Sequence, residues 1–218
     1  MTYPEYVCDY IRRCKAGNPI YTAQIATHLK RDYDLLEKDA LAATAVAVKR
    51  ILDGKMIPDL RFYQKGIYFR TVATPFGELG INKELLIQDK YLLPDIGYET
   101  GFFVLHQMGL TSQMPRERVL ATNKMKDCTR SDKKLGVVIR PPRVQITAKN
   151  KAYLQLLDAL ELLDKAPIDV EKPYAIIADY IQKNDLRYDE LLAFADRYYG
   201  KNAILQLAHV ASERGDGR

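Results

Sequence analysis

Three carboxylates, Asp158, Glu161 and Asp164, recur at a spacing of three. On a helix that spacing puts them on roughly one side, where they could collect a metal ion or share acid–base work. The simpler reading is a solvated acidic face. The histidines His28, His106 and His209 are scattered, with no metal-ligand spacing, and Cys8, Cys14 and Cys128 form no Cys-x-x-Cys pair. Gly97 and Gly101 are not followed by the Gly-Lys-Ser/Thr of a phosphate loop. The run Gly109-Leu110-Thr111-Ser112-Gln113 lacks the Gly-x-Ser-x-Gly turn that presents a nucleophilic serine. The sequence therefore argues for no catalytic group, no metal and no cofactor, and a protein that is not an enzyme is expected.

The chemistry that remains is cationic. The chain has 218 residues and a formal charge of +5. Residues 1–75 hold 12 basic and 8 acidic side chains, residues 76–150 again 12 and 8, and residues 151–218 only 9 against 12. Positive charge is thus confined to the first two thirds. It is densest between Lys124 and Lys151, where Lys133, Lys134, Arg140 and Arg143 stand out. A polyanion is a fitting partner for such a surface. Hydrophobic residues at 47% and charged residues at 28% exclude wholesale disorder. No apolar run approaches the roughly 18–20 residues that span a bilayer. The start of the chain has no signal-peptide pattern, and three cysteines suit a reducing compartment, so a cytoplasmic protein without a membrane partner is expected.

The elements that must position those cations can be read from periodicity. Tyr6, Val7, Tyr10 and Ile11 mark a first helix over 3–14, ended by Gly17-Asn18-Pro19. Thr22 is placed to cap a second helix whose inner side is Ile25, Ala26 and Leu29. A third helix runs from Lys38 to Asp53, with Leu41, Ala45, Val48 and Leu52 expected inward and Gly54 as its stop. Two short aromatic and aliphatic runs, 56–63 and 67–70, then flank Gln64-Lys65-Gly66 and read as a hairpin, with Gly66 supplying positive φ.

Three helices and a hairpin, in that order, predict a winged helix-turn-helix over 1–73. Its third helix would enter the major groove of duplex DNA and its hairpin would lie on the flanking backbone. The expected DNA-binding residues are Lys38, Thr44, Lys49 and Arg50 on the helix, and Arg61, Lys65 and Arg70 around the hairpin. Ala40, Ala43 and Ala47 are read as its outer face, so phosphate contact and DNA shape should outweigh bidentate base contacts.

Residues 74–218 are expected to form a second domain, mixed over 74–149 and helical over 150–218. The mixed part should hold helices at 83–91 and 102–108 and strands at 118–122, 135–140 and 144–147. The helical part should hold helices at 150–165, 173–184 and 188–198, and a last one from Lys201. Tyr153, Leu156, Leu157, Leu160 and Leu163 would face inward on the first of these. The overall class is α+β. The stretch 124–151, with Lys133, Lys134, Arg140 and Arg143, is a possible second basic surface.

The order of motifs resembles the AbiEi family of antitoxins from bacterial abortive-infection toxin–antitoxin systems. The resemblance rests on the Gly66–Phe69 hairpin and on Thr74-Pro75-Phe76-Gly77. It continues through Gly97-Tyr98-Glu99-Thr100-Gly101, Gly109–Pro115, Thr122-Asn123-Lys124 and Tyr153–Leu160. It implies a winged helix that binds and represses the promoter of its own operon. It also implies a C-terminal domain that opposes a nucleotidyltransferase-type toxin without needing a stable complex with it. A stand-alone winged-helix regulator with no toxin partner is the alternative.

Overall fold

The computed structural model describes residues 2–215, with side chains as far as Glu213. It is a mixed α+β structure that divides into two compact units, one ending at Leu86 and one beginning at Ile87.

The first unit opens with α1 (Tyr3–Arg13), in which Val7, Cys8 and Ile11 are buried. The backbone N–H of Thr2 donates to the Glu5 carboxylate at 2.7 Å, satisfying a donor that the first turn leaves open. A two-residue strand, β1 (Ile20–Tyr21), leads into α2 (Thr22–Tyr33). Tyr21 is the cap residue and Thr22 is already helical, so the expected Thr22 cap is corrected: its hydroxyl lies 3.4 Å from the Gly66 carbonyl instead. Asp34 adopts a left-handed φ of 52° at the end of α2 and reverses the chain into α3 (Glu37–Asp53). Alanine-rich and free of Gly and Pro until Gly54, α3 also carries Glu37 and Asp39 at its positive end.

The hairpin follows as β2 (Leu60–Gln64) and β3 (Ile67–Arg70), with Gly66 at φ 78° in the turn. The sheet order is β1-β3-β2, all antiparallel, and Ile20 pairs with Tyr68. Val7, Ile11, Ile20, Ile25, Val48 and Ile51 lie at the centre of the core.

The unit extends beyond residue 73, where the sequence placed the boundary. A small hairpin, β4 (Ala73–Thr74) and β5 (Gly77–Glu78), folds back on it. Thr71 Oγ1 donates to the Leu79 carbonyl at 2.8 Å, Asn82 N–H donates to the Gly17 carbonyl at 2.7 Å, and Glu78 pairs with Arg61 at 2.8 Å. These bonds tie residues 74–82 to the first unit. A short helix, α4 (Lys83–Ile87), reaches the junction.

The second unit begins with a π turn (Gln88–Leu92) and contains a four-stranded sheet. Its strands are β6 (Gly97–Thr100), β7 (Arg118–Thr122), β8 (Arg130–Asp132) and β9 (Val137–Arg140), in the order β6-β7-β9-β8. The β7–β9 pair is parallel and the other two pairs are antiparallel. A short helix, α5 (Phe102–Gln107), follows β6. The helical layer is α6 (Lys151–Leu162), α7 (Pro173–Lys183), α8 (Tyr188–Tyr198) and α9 (Lys201–Gly215). Helix α6 packs on β6 and α5, and α8 and α9 pack on α6. Its expected inward residues, Tyr153, Leu156, Leu157, Leu160 and Leu163, are all buried.

Residues 144–147 are not a strand. Asn123 takes the place of a ladder partner there: its side chain accepts from Ile146 N–H and donates to the Ile146 carbonyl, both at 2.8 Å. Pro141 and Pro142 just before have no N–H to offer a sheet.

Candidate nucleic-acid interface

Packing decides which face of α3 is outward. The buried residues are Ala40, Thr44, Ala47, Val48 and Ile51. Leu41, Ala42, Ala45, Val46, Lys49 and Arg50 are exposed, as is Lys38 in the first turn. The expectation is corrected here: Leu41 and Ala45 are outside, while Ala40 and Ala47 are inside. The small side chains let α3 approach α1 and α2 closely, so alanine marks the packed side and the larger Leu41, 46% exposed, is left outside.

The residues assigned to DNA from sequence separate into three groups. Lys38, Lys49, Arg50 and Lys65 are exposed, and none of them makes an ion pair among the described residues. Arg61 is committed to Glu78 and donates to the Pro58 carbonyl at 2.7 Å, with its side chain 38% exposed. Arg70 is structural. Its Nε donates to Asp59 at 2.8 Å and its Nη1 to the Arg12 carbonyl at 2.7 Å, which fastens β3 to the end of α1. Thr44 is 0% exposed and cannot reach a ligand, and its hydroxyl has no hydrogen-bond partner.

The second basic stretch does not form one surface either. Lys133 and Lys134 are exposed in the turn between β8 and β9. Beside that turn, Asp132 accepts from Lys90 Nζ at 2.8 Å, Tyr91 OH at 2.9 Å and Leu135 N–H at 3.2 Å. Burial pushes its carboxyl pKa up, but those bonds outweigh burial and hold it below the usual value. Arg140 turns inward to a carboxylate on α6, and Arg143, its side chain still 39% exposed, reaches the same group from the surface.

That carboxylate is Asp158, 3% exposed. Oδ2 accepts from Tyr98 OH at 3.0 Å and Thr100 Oγ1 at 2.8 Å, and also from the Arg140 guanidinium. Oδ1 accepts from Tyr199 OH at 3.0 Å and lies 3.9 Å from Arg143 Nε. Arg143 also pairs with Glu161 and stacks its guanidinium 4.5 Å from the Tyr199 ring centre. Burial, reinforced by the Asp158 charge, pushes the Tyr98 and Tyr199 hydroxyl pKa values well above the ordinary phenol. Thus Asp158 and Glu161 are not a solvated acidic face. One side chain joins β6, β9, α6 and the α8–α9 junction.

Sequence reading missed this cluster because it missed β6. The signal was present: Tyr98 and Thr100 alternate, which puts both on one face of a strand. Gly97 at its start is required by close approach, since a Cβ there would sit 2.1 Å from the Tyr91 carbonyl oxygen. With its acceptor positions filled from inside the fold, Asp158 is a structural group. Among the described residues no cluster of three or more His, Cys, Asp or Glu could hold a metal ion, and all three cysteines are unpaired. No helix among the described residues is long and apolar enough to cross a membrane.

Comparison of the chain with protein-family models, with curated proteins and with solved structures finds no match.

Proposed function

We propose that the protein is a DNA-binding regulator of the AbiEi antitoxin type. In this reading the first unit is a winged helix, with α3 as its reading helix and the β2–β3 hairpin as its wing. The second unit is the part that opposes a nucleotidyltransferase-type toxin. The observation that carries the reading is the outward surface of α3. Lys38, Lys49 and Arg50 stand exposed there with no ion pair among the described residues, while Arg70 and Arg61 near the hairpin are held by carboxylates. Cations with no internal partner keep their charge for phosphates.

The antitoxin half of the proposal rests on the motif order. Two of its residues, Tyr98 and Thr100, meet at Asp158, itself within the Tyr153–Leu160 motif. The motifs are thus joined in space, which supports treating them as one unit.

The test is a fluorescence anisotropy titration of duplex DNA from upstream of the protein's own gene, between about 50 and 200 mM salt. Replacing Lys49 and Arg50 by Ala should reduce the slope of log affinity against log salt by about 0.9 for each phosphate that is no longer neutralised. An unchanged affinity and slope would remove α3 as the reader. Growth on co-expression with a neighbouring nucleotidyltransferase-like gene product tests the antitoxin half. No rescue by the intact chain would leave the stand-alone regulator as the better description.

A further inference from the structure

The outward face of α3 carries an unusual content for a helix meant to read bases. At about 100° per residue, Lys38, Ala42, Ala45 and Lys49 fall on one file, with Leu41 on one side and Val46 on the other. Leu41 is 46% exposed and Val46 51% exposed, although both are large enough to have joined the core. The two lysines are about 16 Å apart along the axis. Between them no side chain on the file has a hydrogen-bonding atom. Glu37 is drawn to Lys30 at 3.6 Å, and Asp39 lies about 100° round from Lys38. Asp53 stands one turn beyond Lys49 and would repel phosphate, so a contact with DNA ends with Lys49 and Arg50.

Resting on the DNA-binding reading above, we infer that α3 reads thymine 5-methyl groups in the major groove, through Leu41, Ala42, Ala45 and Val46. Guanine, adenine and cytosine are read through hydrogen-bonding groups, which Leu41, Ala42, Ala45 and Val46 all lack; Arg50, about 40° round from Val46, is assigned with the lysines to phosphates. The thymine methyl is the base-edge feature that an aliphatic side chain can cover. The short alanines let the helix axis come close to the groove floor, and the flanking lysines supply charge complementary to phosphates at both ends. The occupant is therefore a T-rich duplex. A protein partner or a second copy would gain from Leu41 and Val46 but would have to place a carboxylate at each of Lys38 and Lys49, whereas duplex DNA presents phosphates along both edges of the groove. Each methyl covered should contribute on the order of three- to fourfold in affinity.

The experiment uses the full chain. A preferred duplex is selected from a random pool, and its affinity is compared with that of a copy in which every thymine is deoxyuridine, which lacks only the methyl. Roughly tenfold weaker binding to the uracil copy is expected if two methyls are covered, with the salt slope unchanged. The paired variant Leu41→Ala, Val46→Ala should shrink that ratio while keeping the slope. Equal affinity for both duplexes, or a ratio untouched by the paired variant, overturns the inference while the DNA-binding reading stands. Binding to neither duplex overturns the DNA-binding reading itself. Self-association that the paired variant abolishes, with the thymine ratio unaffected, assigns the face to a second copy and also overturns the inference.

Discussion

Replacing Asp158 by Asn keeps the size of the side chain and one acceptor oxygen but removes the charge that faces Arg140 and Arg143. The Asp158 side chain is 2% exposed and that of Arg140 is 26% exposed, so water compensates Arg140 in part and the carboxylate's site hardly at all. Removing one partner from a buried, hydrogen-bonded ion pair costs about 3–5 kcal/mol. Asn also brings an amide NH2 that must point at donors, since Tyr98, Thr100 and Tyr199 all donate to this position. For a unit beginning at Ile87, that loss corresponds to a thermal midpoint lower by on the order of 10 °C. The assay is thermal and urea unfolding followed by circular dichroism and tyrosine fluorescence, with DNA affinity as a readout for the first unit. Only the transition of the second unit should move. The double variant Asp158→Asn, Arg140→Gln should recover part of the loss, because the two sites are coupled. A shift below about 1 kcal/mol, or strict additivity in the double variant, would refute the view that this carboxylate holds the second unit together.

Alkaline pH should weaken the second unit. Buried Tyr98 and Tyr199 keep their protons in the fold above the ordinary value of 10.0, whereas the unfolded chain releases them there. The folded state then binds more protons, so their contribution is complete below about pH 10 and falls above it, by about 1.4 kcal/mol per pH unit for each tyrosine. Urea midpoints at successive pH values should show a shallower decline for Tyr199→Phe than for the parent, and parallel declines would contradict this. Truncation should separate two boundaries. A fragment ending at Leu86 keeps the Thr71–Leu79 and Gly17–Asn82 bonds, while one ending at Ala73 loses both, so the shorter fragment should unfold at lower urea. Equal midpoints would mean that the tail adds nothing to the first unit.

Local chemistry is what the sequence settled by itself. Helix positions followed from the 3.6-residue spacing of apolar side chains, as in α1 and α6, and the β2–β3 turn followed from Gly66. Charge distribution was readable too, since it needs only counting. Partnership was not. Arg70, Arg140 and Arg143 look like free cations in the chain, and Asp158 looks like part of an acidic face. Arg70 finds Asp59 11 residues away, and Arg140 finds Asp158 and Arg143 finds Glu161 each 18 residues away, so pairing is decided when strands and helices pack. The face of α3 was equally hidden. Period alone allows a helix to be rotated by one position, and only close packing of Ala40, Thr44 and Ala47 against neighbouring helices fixes which side water keeps. Propensity is set by each residue and its near neighbours, whereas burial and ion pairing depend on where distant segments come to rest.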